Sequence, residues 1–112
     1  MGTPVDLHAV LHERGQEYGN FVSMSEFAQD LKERIRSAPG AHRLEPYQWE
    51  SLDMICTKIA RVVCGNPQHE DSWTDIAGYA KLVADHLKKE HPEDSSHVAY
   101  REMVKRYDAF ST

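Results

Sequence analysis

Six side chains in two stretches carry the densest chemistry of this sequence: Glu50, Asp53, Lys58 and Arg61 in the first, Asp71 and Asp75 in the second. At the 100° step of a helix, Glu50, Asp53, Thr57 and Arg61 share one face, with Lys58 at its edge. Asp71, Asp75, Gly78 and Leu82 share a face of the next predicted helix, flanked by Tyr79 and His86. Helix electrostatics accounts for part of this pattern. Asp71 or Ser72 suits an N-cap, and Asp75 then sits in the first turn, where a carboxylate gains about 0.3–1 kcal/mol from the dipole. Lys58 and Arg61, near the end of their helix, gain from the opposite pole. Two residues resist that account. A mid-helix glycine such as Gly78 costs about 1 kcal/mol relative to alanine, and Leu82 is apolar on a face that water should cover. Both point to a close approach by another helix, a second subunit or a ligand.

Other constellations are weaker. His8 and His12 are spaced i, i+4, but no third ligand follows them as in HExxH, so a solvated helix face is expected. His69-Glu70-Asp71 is too sequential to wrap one ion and reads as a loop. Cys56 and Cys64 lie on one predicted helix, roughly 12 Å apart at 1.5 Å per residue, too far to bridge. They read as reduced packing residues. Tyr18 and Phe21 border a YGNF turn and read as its anchors, while Lys32, Arg34 and Arg36 alternate with Glu33 as a solvated face. Tyr100, Arg101, Lys105 and Arg106 form a basic-aromatic cluster near the end of the chain.

The elements that must position these groups are all helical, because every apolar repeat has a period near 3.6 and no strand pattern occurs. Thr3-Pro4-Val5-Asp6 opens a first helix carrying Leu7, Val10 and Leu11, which Gly15 stops. GQEYGNF, residues 15–21, is a turn. Ser23 and Glu26 form a capping box for a second helix with Met24, Phe27, Ala28, Leu31 and Ile35 on its apolar side. Ala38-Pro39-Gly40 ends it. Pro46 opens a third helix running to Val63 or Cys64, with Gly65 as a left-handed stop and Pro67 barring continuation. A fourth runs from about Asp71 to about Glu90, and Ser95 or Ser96 caps a fifth over about 96–110. The third helix presents Leu52, Ile55, Ile59, Val62 and Val63 to the core. The fourth presents Trp73, Ile76, Ala77, Ala80, Val83, Ala84 and Leu87, with Trp73 as a packing anchor. Residues 1–112 therefore read as a single all-α domain, a helical bundle of about five helices with antiparallel neighbours.

The run KIARVVCGNPQHEDSWTDIAGYA, with EYGNF and WESLDM upstream, resembles a family of small phage and prophage proteins of uncharacterised function that carry a YGNF…KIAR…GNPxHxDSWxDIAGYA signature. The resemblance covers about residues 14–88. The helical layout is in turn similar to MazG-like all-α nucleoside triphosphate pyrophosphatases, in which two helices supply ExxE and ExxD carboxylates that hold Mg²⁺ on a nucleotide. Carried onto this chain, the resemblance implies Glu50-Ser51-Leu52-Asp53 as the first pair and Asp71 with Asp75 as the second, in the forms ExxD and DxxxD. Mg²⁺ takes oxygen ligands, keeps several waters and leans on substrate phosphates. Glu50, Asp53 and Asp75 would hold the ion, and Asp71 would act with Asp75 in catalysis by orienting the attacking water. Lys58 and Arg61 would neutralise phosphate charge, and Asn66 and Tyr79 would contact base or sugar. The function implied is that of a phage-encoded nucleotide-binding protein, in its fullest form a Mg²⁺-dependent pyrophosphohydrolase. The alternative is a non-catalytic interaction or inhibitor protein that binds a host or defence component.

Composition sets the outer bounds. With 40% apolar and 28% charged residues the chain is of ordinary globular type. Its formal charge of −5 argues against general duplex-DNA binding, which needs a positive face to release counterions. No apolar run approaches the roughly 18 residues of a membrane span, and the polar N-terminus does not resemble a signal peptide, so a cytoplasmic location in a host cell is expected. Met24, Gly78, Leu82 and the apolar residues of the fifth helix exceed what a small monomer hides, so self-association is expected as well.

Overall fold

The computed structural model describes residues 5–91 together with the isolated helical positions Met103 and Lys105. Among the described residues four α-helices follow in order, α1 (Leu7–Tyr18), α2 (Phe21–Arg36), α3 (Pro46–Cys64) and α4 (Glu70–Glu90), with a 3-10 turn at Ala41–Arg43 between α2 and α3. No strand occurs among the described residues. The helix start at Thr3-Pro4, the fifth helix and the basic-aromatic cluster lie outside the described residues, apart from those two positions. No helix among the described residues is long and apolar enough to cross a membrane.

Local chemistry sets the helix ends, in places not where the sequence suggested. Asp6 caps α1 by accepting from the Ala9 N–H at 3.2 Å. The helix then runs through Gly15 and stops four residues later at Gly19, whose φ of 83° ends it. A glycine inside a helix costs about 1 kcal/mol without breaking it; one with positive φ does break it. Asn20 takes the cap of α2 by accepting from the Ser23 N–H at 3.1 Å, so the helix opens ahead of the expected Ser23–Glu26 box. Pro46 opens α3 as expected, and the Glu45 N–H donates to the Gln48 side chain at 2.9 Å. Before α4 a turn in which the His69 N–H donates to the Asn66 carbonyl leads straight into the helix. His69, not Asp71 or Ser72, therefore occupies the N-cap position, and Asp75 lies beyond the first turn.

Helix α3 is the central element: α2 and α4 each pack on it rather than on each other, and α1 joins it near its C-terminal end. Two contacts fix its antiparallel register with α4. Ser51 Oγ donates to the Tyr79 carbonyl at 2.9 Å, and Lys58 Nζ reaches Asp75 at 2.8 Å. On the other side, Met24 and Ala28 of α2 close over Ala60, with Cys64 alongside. The buried set is small, comprising Met24, Ala28, Ala41, Cys56, Ala60 and Val62 with the hydroxyls of Ser51 and Ser72, and no large side chain among the described residues is fully buried. Cys56 and Cys64 are free thiols.

The face that α4 turns to α3 corrects the expected stripe. Ser72 is buried and Ile76, Tyr79 and Val83 are half-buried, whereas Ala77, Ala80, Ala84 and Leu87 are exposed. Trp73 is not the expected core anchor: it is 54% exposed, and its indole N–H donates to the Pro67 carbonyl at 2.8 Å. The apolar arc of α4 is wide enough for two contact faces, and the Ser51–Tyr79 and Lys58–Asp75 bonds select one of them. Val63, expected on the core stripe of α3, is exposed too. A Cβ placed on Gly78 would meet nothing within 4 Å, so no part of the described chain makes the close approach expected there.

Candidate functional site

Two chain segments pressed together build the site: residues 17–20, where α1 ends and α2 is about to begin, and residues 64–66, at the end of α3. Both need glycine. A Cβ on Gly19 would collide with the Cys64 carbonyl, and one on Gly65 with the backbone of Glu17 and Tyr18. Gly65 has φ −125°, so it is not the left-handed stop expected from the sequence; the close approach of a second backbone is what requires it. Asn66 closes the joint. Its backbone N–H donates to the Glu17 carbonyl at 2.7 Å, its side-chain amide donates to Glu17 Oε2 at 3.0 Å, and its Oδ1 accepts from the Gln68 N–H at 2.9 Å.

This joint holds Tyr18 in a fixed stack. The Arg61 guanidinium lies 4.5 Å from the Tyr18 ring centroid, a cation–π contact, and the His69 ring meets the same tyrosine edge-on at 5.4 Å. The Arg61 Nε is buried and has no hydrogen-bond partner. Beside the stack opens a cavity of about 830 Å³, whose walls include Leu11, Arg14 and Tyr18 of α1, Phe21 and Met24 of α2, and Arg61 of α3. Among the described residues neither Arg14 nor Arg61 forms an ion pair. Phe21, at the first position of α2, is 75% exposed. The cavity thus combines aromatic faces with two guanidinium groups that form no ion pair among the described residues. Such a wall suits a flat, negatively charged ligand: rings stack on Tyr or Phe, and the planar fork of arginine matches phosphate or carboxylate oxygens.

The residues singled out by sequence divide around α3. Lys58, only 12% exposed in its side chain, holds Asp75. That hydrogen bond, reinforced by the positive fields of Lys58, Arg61 and His69, keeps the Asp75 carboxyl below its ordinary pKa of 3.8. Asp53 faces the other way and pairs with Arg36 of α2 at 3.5 Å. Glu50 is exposed and stands eight positions, roughly 12 Å, along α3 from Lys58. Asp71 is exposed in the first turn of α4, and Tyr79 is half-buried with its carbonyl accepting from Ser51. Lys58, Arg61 and Asp75 come together; Glu50 and Asp53 do not join them. Among the described residues no group of three His, Cys, Asp or Glu side chains gathers in a way that could hold a metal ion. The donor set implied for Mg²⁺ is therefore not assembled. Conversely, Arg14, Tyr18 and Phe21 enter the cavity although the EYGNF segment reads in sequence as a turn anchor. The available signal was Arg14 one helical turn before an aromatic turn residue.

A family model described as a domain of unknown function, DUF6378, matches residues 7–87. The chain belongs to this family. The DUF6378 region contains every cavity residue and the Lys58–Asp75 pair. No curated protein and no solved structure matches the chain.

Proposed function

We propose that this protein binds a nucleotide in the cavity between α1, α2 and α3, with the base against Tyr18 or Phe21 and the phosphates on Arg14 and Arg61. The observation that carries this reading is the pair of guanidinium groups lining one aromatic cavity without an ion-pair partner among the described residues, in a chain of net charge −5. Each charge-assisted hydrogen bond to phosphate adds about 1.5–3 kcal/mol and each base stacked on an aromatic ring about 1–3 kcal/mol, which favours a ligand that carries both groups. In this reading the protein is a phage-encoded nucleotide-handling protein of the host cytoplasm. Magnesium would arrive with the phosphates, its main ligands, because Asp75 and Asp53 are each occupied by a cation. Hydrolysis to monophosphate and pyrophosphate through Asp71 and Asp75 would require Asp75 to leave Lys58.

Thermal shift and calorimetry with single ribo- and deoxynucleoside mono-, di- and triphosphates, with and without Mg²⁺, test the reading. At least one nucleotide should raise the melting temperature, and Arg14→Ala should weaken its binding at least tenfold without lowering the melting point of the free protein. No response to any nucleotide at millimolar concentration would overturn it. A second reading, a non-catalytic protein that binds a host or defence component, draws on the exposed Leu7 and Leu11 of α1 and Phe21 and Val22 of α2. It predicts an absent nucleotide response and a partner interaction that Val22→Ser abolishes.

A further inference from the structure

We propose that α4 pairs with α4 of a second copy of this chain, antiparallel, about a two-fold axis close to Ala80. The contact surface is the stripe that α3 leaves uncovered: Trp73, Ala77, Ala80, Ala84 and Leu87, all exposed. Its order is palindromic in size. Trp73 stands seven residues before Ala80 and Leu87 seven after, so a two-fold at Ala80 lays the indole of each copy on the leucine of the other. The alanines between them let the two backbones approach. The stripe is roughly 21 Å long, and the pairing adds buried apolar area to a fold in which no large side chain among the described residues is fully buried.

Charge identifies the occupant as a second copy running antiparallel. The first turn of α4 is acidic, with Glu70 and Asp71, and its last turn is basic, with Lys88 and Lys89. Glu70 and Lys88 both project about 60° to the same side of the stripe at 100° per residue. The two-fold therefore sets Glu70 of each copy beside Lys88 of the other, and the helix dipoles oppose favourably. A parallel pairing would instead set acid on acid and base on base. Lys81, the remaining cation on that flank, is held by its own Asp85 at 2.9 Å, so the two lysines near the axis do not meet as bare charges.

The full chain in light scattering coupled to size exclusion, from about 1 to 200 µM, reads the outcome. The expected mass rises with concentration towards twice 12.8 kDa. Ala80→Glu, which sets two carboxylates face to face at the axis, should raise the dimer dissociation constant at least tenfold with unchanged helical circular dichroism. Glu70→Lys and Lys88→Glu should each weaken the dimer, and the double swap should restore it. That restoration tests the geometry even if Ala80→Glu perturbs folding. A wild-type chain that stays monomeric across the range, a dimer indifferent to Ala80→Glu, or a double swap no better than the single variants would each overturn the proposal. The cavity takes no residue from α4, so nucleotide binding succeeds or fails independently.

Discussion

Asp75 shows how a single carboxylate separates two chemistries. Lys58 holds its pKa below the ordinary 3.8. A carboxyl depressed on folding stabilises the fold above its unfolded pKa, and that contribution is lost as pH falls through the lower folded value. Asp75→Asn should therefore lower the melting temperature of the free protein at pH 7, with the difference fading below about pH 4, where unfolded aspartate protonates. In an unfilled metal site, where carboxylates repel, the same change would raise the melting temperature at pH 7. Lys58 and Asp75 both stand out in the sequence, but their partnership does not, because helical periodicity fixes a residue's face and not the register between two helices. Trp73 makes the same point through burial. A core tryptophan cut to alanine would cost about 3–5 kcal/mol; at 54% exposure with one hydrogen bond to Pro67, the loss should be closer to about 1–2 kcal/mol. Urea unfolding of Trp73→Ala at about 1 µM measures it.

At the scale of elements, α2 to α4 were legible because each carries a long period near 3.6, and α1 only as a short helix with Leu7, Val10 and Leu11; α3 was placed almost to the residue by Pro46 and Gly65. The helix starts were less so, since Asn20, Asp6 and His69 compete for caps with equally suitable neighbours. The packing face of α4 was not legible at all: Trp73, Ile76, Ala77, Ala80, Val83, Ala84 and Leu87 span an arc that α3 covers only in part. Gly65 was recognised as a terminator, but its reason, the backbone of Glu17 and Tyr18 lying against it, depends on a contact between segments far apart in sequence. This joint is the main attachment of α1, a helix with no buried residue of its own. Gly65→Ala should therefore loosen α1 before the α3–α4 pair. In hydrogen exchange the α1 amides should lose protection at least tenfold while those of Ala60 and Val62 change little. Uniform loss across all four helices would show instead that the joint stabilises the whole domain.

On the scale of the whole molecule, a net charge of −5 surrounds a cavity whose walls are locally positive, and the two proposed contacts rest on different forces. The proposed anion site was only half legible: Arg61 stood out on its helix, whereas Arg14, Tyr18 and Phe21 join it through the fold of the Glu17–Asn66 joint, a long-range contact that no local pattern encodes. Arginine–phosphate attraction is screened as the Debye length falls from about 10 Å at 0.1 M salt to 3 Å at 1 M. Pairing of the α4 stripe rests on the apolar contact of Trp73 and Leu87, which salt does not screen, with only the Glu70–Lys88 pairs at its margin. Raising sodium chloride from 0.05 to 1 M should therefore weaken nucleotide binding at least tenfold and change the dimer dissociation constant no more than a few-fold. Calorimetry and light scattering on the same samples read both. Nucleotide affinity that held constant across that range would mean that Arg14 and Arg61 do not bear the phosphates. A dimer that dissolved with salt would mean that charge, rather than the apolar stripe, joins the two copies.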